Sequence, residues 1–306
     1  MCGRFTHLYR WKDIHRLLNL LGGADVVIPN RFNVAPTQLA PIVRERAARE
    51  GHPAGRVLEF FRWGLVPSWA KDESGGGRAI NARSESAATS PAFRGAFVKR
   101  RCLVPVSGFY EWQAVRAPGV DGAAEGGPDG AGHAITRGRA RGARGDQTLS
   151  LFGAEAPEPP TGAGGAERAE GLGRSGGARK KPARPIKQPW YITPTSPDPF
   201  MLAGLWEFWR GTKDGEAPAL LTFTVLTTAP NAVMMPLHDR MPVILPASAW
   251  DAWLDSALED AATLQKLLGP CDPALMRATP VSTWVNAPAH DDSRCIEAVT
   301  RPYAGA

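Results

Sequence analysis

Cysteine is scarce in this sequence, with four in 306 residues at positions 2, 102, 271 and 295. None forms a C-x-x-C pair, and none stands at zinc-ligand spacing from a histidine. That excludes a structural zinc knot and a disulfide framework, leaves no metal or cofactor expected, and points to reduced thiols in a cytoplasmic setting. Long apolar runs are also missing: none approaches the roughly 18 residues of a membrane span. The first 25 residues are broken up by Arg4, Arg10, Lys12, Asp13 and Arg16, which excludes an ordinary secretory signal. Nor is there a strong charge of one sign. The net charge is +6, but residues 114–188 hold 12 basic against 8 acidic side chains, and the rest of the chain is close to neutral. A polyanionic partner must therefore be argued from individual arginines rather than from net charge.

What is present falls into two kinds. From about 114 to 188 the chain is rich in Gly, Ala, Pro and Arg and nearly free of large apolar residues. Such a segment cannot bury enough surface to offset its chain entropy, so it reads as a disordered insertion. Its RGRARGARG stretch is either a single-strand nucleic-acid contact of RGG type or a neutral loop expansion, and the second is favoured. The Ala, Gly, Arg and Pro bias is compatible with a GC-rich bacterial genome. The flanks, RRCLVPVSGFYEWQ and KQPWYITP, read as strands. The expected arrangement is one domain whose hairpin turn has swollen.

Further strands are expected in VLEFFRWGLVP, MLAGLWEFW, LLTFTVLTT, MPVILP and LMRATPVSTWV. The stretch WKDIHRLLNLLGG predicts a helix ending at glycine. The run SAWDAWLDSALEDAATLQKLLG predicts one long helix with Ser248 and Asp251 at capping-box spacing. SPAFRGAF predicts a third, with Ser90 as N-cap and Pro91 at the first helical position. Strands dominate, so the fold class is α+β, mainly an antiparallel, barrel-like sheet with a few peripheral helices.

The chain begins MCGRF. Removal of Met1 would leave Cys2 with an α-amine and a thiol on adjacent carbons, with ordinary pKa values near 8 and 8.5. One residue would then present two nucleophiles. Four stretches in this order, MCGRF, WGLVPSWA at 63–70, NARSE at 81–85 with GFYEW at 108–112, and HDRMPVIL at 238–245, closely resemble the SRAP (SOS-response-associated peptidase) family. RFNVAPTQ at 31–38 and PAFRGAFVKRRCLVP at 91–105 also fit. The resemblance covers nearly the whole chain outside the insertion.

The resemblance implies a protein that senses abasic sites in single-stranded DNA and bonds to them through Cys2, acting as a monomer in the DNA damage response. It makes Glu111 the acid or base beside the Cys2 amine, His238 the proton shuttle at the sugar oxygen, and Asn81 the side chain that orients the nucleophile. Read alone, Glu111 is better taken as a salt-bridged strand-end residue and His238 as a satisfied loop or core histidine, while Asn81 can be a turn or cap residue and still orient the nucleophile. Arg4, Arg83 and Arg240 lie next to these positions and suit phosphate oxygens. Gly3 lets the sugar approach closely. Trp63 and Trp69 are candidate base-stacking platforms, with Pro36 and Pro67 as apolar wedges. Arg94, Lys99, Arg100 and Arg101 could extend the phosphate track or form a solvated basic face. The imine formed by the Cys2 amine could instead proceed by β-elimination, a lyase outcome with which thiol capture competes, and removal of Met1 falls either to self-processing or to an aminopeptidase. The alternatives are an N-terminal-nucleophile peptidase or amidohydrolase, and a non-covalent single-strand binder.

Overall fold

The computed structural model describes residues 2–22, 27–114, 187–212, 215 and 217–300. The strands are β1 (Phe5–His7), β2 (Arg31–Val34), β3 (Leu39–Arg46), β4 (Gly55–Trp63), β5 (Asn81–Arg83), β6 (Arg101–Val106), β7 (Gly108–Ala114), β8 (Lys187–Pro194), β9 (Phe200–Trp209), β10 (Leu220–Thr228), β11 (Met241–Pro242) and β12 (Met276–Pro280). The helices are α1 (Trp11–Leu18), α2 (Ser84–Ala87), α3 (Arg94–Lys99), α4 (Ala247–Leu254) and α5 (Ala261–Gln265).

Strands β10, β4, β3, β6 and β9 pair in that order, and β9 pairs back to β10. The sheet closes on itself as a five-stranded barrel, which removes its edges. Alternation along each strand then separates two cores. Ile42, Phe61, Trp63, Val104 and Phe223 belong to one, and their sequence neighbours Val43 and Leu103 belong to the other. The second core is completed by Ile14 and Leu18 of α1, Phe97 of α3 and Trp253 of α4. A second sheet, in the order β12, β8, β7, β1, β2, packs its Phe5, Phe109 and Ile192 into the first core.

Strands β7 and β8 pair antiparallel through to Ala114 and Lys187. These are the hairpin arms expected on either side of the insertion, and the pairing takes Ala114, Lys187 and Gln188 out of it. The disorder expected of the insertion concerns positions 115–186, which lie outside the described residues. No helix among the described residues is long and apolar enough to cross a membrane.

The helices are shorter than their periodicity suggests. α1 stops at Leu18 because Asn19 takes the left-handed conformation (φ 49°) and its N–H caps the His15 carbonyl. Asn is one of the few residues to tolerate this backbone. The long helix expected near residue 248 is two helices. The first follows Pro246 with no side-chain cap, and the second starts at Asp260, whose carboxylate accepts from the Thr263 N–H. Between them the Arg101 guanidinium takes the carbonyls of Trp253, Asp255 and Leu258. Those carbonyls satisfy a buried cation instead of continuing a helix. Helix α3 starts at Arg94, so Ser90 and Pro91 form the preceding turn rather than the cap.

Candidate functional site

The site is assembled where the second sheet meets the barrel. β1 lies between β2 and β7, with Phe5 opposite both Val34 and Phe109. The Arg4 carbonyl accepts from the Tyr110 N–H at 3.0 Å, extending that pairing toward the start of the chain. Cys2 is thereby held fully buried in the core with Phe5, Trp63, Phe109 and Met234. Its Sγ lies 3.9 Å from the Arg4 carbonyl oxygen, within reach of a weak S–H donation. Burial pushes the thiol well above its ordinary pKa, the Glu111 charge pushes it further, and the Arg4 carbonyl contact opposes both less strongly. At neutral pH the sulfur is a protonated thiol.

Glu111 sits on β7, two residues from Phe109 and therefore on the same face. It is 2% exposed. Gly108 makes this stretch of β7 possible: a Cβ there would lie 2.5 Å from the Tyr191 ring and 2.7 Å from the Ile192 carbonyl of β8. Asn81 arrives by another route. β10 pairs with β4 at Thr222 and Phe223, then with β5 at Val225 to Thr227. Gly64, at φ +122°, turns the chain out of β4 so that β5 can return along the same edge. Asn81 Nδ2 then donates to the Cys2 carbonyl at 2.7 Å, while its buried Oδ1 has no hydrogen-bond partner among the described residues.

His238 ends a turn over 231–238 whose Met234 belongs to the Cys2 core and whose Leu237 packs on it. That turn is tied to β7 by Gln113, which donates to the Pro236 carbonyl at 3.2 Å and accepts from Trp190 Nε1. His238 Nδ1 lies 3.0 Å from the Arg240 N–H and 2.7 Å from the Asp239 carboxylate. The neutral ring accepts from the first, which places its proton on Nε2; the imidazolium donates to the second.

The residues expected to touch DNA divide sharply. Trp69 is 66% exposed, on the loop after β4. Pro67, Pro36 and Gly3 are half-buried, and Arg83 is exposed with no ion pair among the described residues. Two expectations need correction, and a third residue is found in an ion pair. Arg4 is 6% exposed, its guanidinium spent on Asn33 Oδ1 and the carbonyls of Val285 and Asn286, so it cannot reach a phosphate. Trp63 is fully buried, its ring 4.7 Å from that of Phe5 and stacked on Phe223, and cannot present a face to a base. Arg240 forms a two-pronged pair with Glu85 and also donates to the Thr227 carbonyl. It joins the third and fourth motifs to each other. Of the basic run, Arg101 is buried against carbonyls, Arg100 pairs with Glu207 and Lys99 with Glu259, and Arg94 alone is exposed without a pair among the described residues.

Sequence reasoning missed the polar network that fixes β1 and β2. Asn33, fully buried, accepts from Arg4 and donates to the carbonyls of Val285, Ala287 and His290. The Asp291 carboxylate takes the N–H groups of Phe32 and Asn33 and the Arg31 guanidinium. The available signal was an asparagine between Phe32 and Val34 inside an apolar strand, since a buried amide must find partners.

Comparison with known proteins places these features in a wider set. The family described as SOS response associated peptidase (SRAP) matches residues 1–123 and 179–288. The chain is 31% identical over 303 residues to the abasic site processing protein YoqW of Bacillus subtilis, covering 97% of this chain and 99% of that one. It is 26% identical over 272 residues to the abasic site processing protein HMCES of Gallus gallus, covering 87% of this chain and 65% of that one. A solved structure of a protein from Bacteroides thetaiotaomicron superposes with a TM-score of 0.63 at 19% identity, covering 97% of this chain and all of the other. A phage-related protein from Bordetella bronchiseptica gives 0.53 at 22% identity, with 92% and 94% covered.

Proposed function

The chain belongs to the SRAP family, and from that membership and the Cys2 geometry we propose that it processes abasic sites in single-stranded DNA by bonding to them through Cys2. The observation that carries the reading is the placement of one residue. Cys2 is buried, its carbonyl is held by Asn81 and its thiol feels the Glu111 charge. Loss of Met1 exposes the Cys2 α-amine in that same setting.

The two nucleophiles act in order. A neutral thiol is a poor nucleophile, so the amine attacks the open-chain aldehyde of the abasic sugar first. The carbinolamine loses water and becomes an imine. Sγ then adds to the imine carbon, its proton is passed to the ring nitrogen, and a five-membered thiazolidine closes. The balance is protein plus aldehyde giving adduct plus water. The second attack is intramolecular, so its positional entropy is already spent. Glu111 relays the thiol and amine protons, Asn81 fixes the Cys2 backbone, and His238 gives a proton to the sugar oxygen as the ring opens. Arg83 contacts phosphate, and Trp69 stacks on a base beside Pro67 and Pro36. The protein works as a monomer. Closure of the thiazolidine shields the lesion from β-elimination, the lyase outcome of the same imine.

The test is a denaturing gel with an abasic single-stranded oligonucleotide. Wild type gives an adduct that survives denaturation. Cys2→Ser, with the amine but no thiol, gives none unless borohydride reduces the transient imine. A stable adduct from Cys2→Ser without borohydride overturns the thiazolidine, and equal binding of intact DNA with no adduct favours a non-covalent binder.

A further inference from the structure

Asn231 touches none of the residues assigned to the chemistry, yet it is the most heavily used polar side chain of the turn that carries His238. It is 8% exposed, on the connection that leaves β10. Its Oδ1 accepts from the Val233 N–H at 3.2 Å and the Met234 N–H at 3.1 Å. Its own carbonyl accepts from Met234 at 3.1 Å and Met235 at 2.9 Å. The Met234 carbonyl in turn accepts from Leu237 at 2.8 Å and His238 at 2.9 Å. The two turns are stacked in series, and the first is capped by the Asn231 side chain as a helix N-terminus is capped.

The other end of the amide anchors the turn to the body. Nδ2 donates to the Cys271 carbonyl at 3.0 Å and lies 3.3 Å from Met276 Sδ, at the start of β12. The Asn231 N–H points at Met241 Sδ at 3.3 Å, on β11 immediately after the HDR motif. Every polar atom of the residue is engaged, and three separate segments meet on it.

We propose that Asn231 is a positioning residue for His238: it fixes the height and phase of the 231–238 turn, and so where the imidazole meets the sugar. The inference rests on the reaction proposed above and on the role of His238 in it. It predicts that the two residues act as one unit. Asn231→Ala moves the imidazole off its position and slows crosslinking about 10- to 100-fold, the scale of an ångström-sized misplacement. In a His238→Ala background the same substitution adds almost nothing, because there is no imidazole left to misplace. Asn231→Ser keeps a neutral capping oxygen but loses the Nδ2 anchor, and is expected to recover about threefold or more of the rate lost in Asn231→Ala.

The experiment measures single-turnover adduct formation with an abasic single-stranded oligonucleotide for wild type, both Asn231 variants, His238→Ala and the Asn231→Ala/His238→Ala pair, each checked for folding by thermal melt. Non-additivity with partial recovery by Ser supports the proposal. If Asn231→Ala slows the His238→Ala protein as much as it slows wild type, or a folded Asn231→Ser is as slow as Asn231→Ala, the proposal is overturned. Should Asn231→Ala not fold, Asn231→Ser takes its place in the same cycle with His238→Ala, and equal slowing in both backgrounds overturns the proposal. Absence of any adduct from wild type would instead strike down the reaction itself, and this inference with it.

Discussion

At the scale of single residues, burial holds two titratable groups in their neutral forms. The Cys2 thiol stays protonated because it is buried beside Glu111. His7, on β1 at 1% exposure, is held neutral in the opposite sense. Burial lowers it from 6.5 to about 4, the Arg31 charge lowers it further, and Asp291 opposes. The unfolded chain therefore binds a proton between those two values that the folded protein does not. Stability falls by up to about 3 kcal/mol as pH drops from 6.5 to about 4, and levels off below. Denaturant titrations of His7→Leu across this window are expected to show that slope flattened. An unchanged slope would mean His7 is protonated in the fold. That Asn81 and Glu111 lie beside Cys2 was legible only through the family resemblance, because each lies in a short recognisable stretch and none carries a local signal of its neighbours. The misplacement of Arg4 and Trp63 was not, because nothing in MCGRF or WGLVP shows that Asn33 and Phe223 will enclose those side chains.

At the scale of elements, β7 is the strand on which the account depends. It carries Glu111, and through Gln113 it holds the His238 turn. Its first residue has no room for a side chain against Tyr191 and Ile192. Gly108→Ala should cost about 1–3 kcal/mol, the usual range for an overpacked core, and slow adduct formation more than a distant substitution of equal cost. Paired thermal melts and crosslinking rates check this, and a rate loss no larger than that of a distant substitution would detach β7 from the chemistry. The β7–β8 hairpin, β4, β9 and β10 were legible from their β-branched and aromatic runs. The helices were legible as regions but not in length, because a left-handed Asn19 and the Arg101 guanidinium end them for tertiary reasons. β5 was missed altogether. Three residues, Asn81–Arg83, carry no periodicity, and only the parallel register against β10 makes them a strand.

At the scale of the whole molecule, a closed barrel and a second sheet hold the start of the chain between them, and the four motifs meet because the barrel closes. The long segment between Ala114 and Lys187 leaves and returns at paired strand ends. Replacing residues 115–186 by a two-residue Asn-Gly turn is expected to preserve both the melting transition and the crosslink, and loss of crosslinking with the melt intact would assign the segment a part in the reaction. The central claim, that Cys2 supplies amine and thiol to one aldehyde, is tested most directly by intact-protein mass spectrometry before and after incubation with an abasic single-stranded oligonucleotide. The account predicts a protein mass lacking Met1, and then an adduct equal to protein plus oligonucleotide minus one water. A protein that retains Met1 and still forms the adduct, or one that lacks Met1 and forms none, would contradict it.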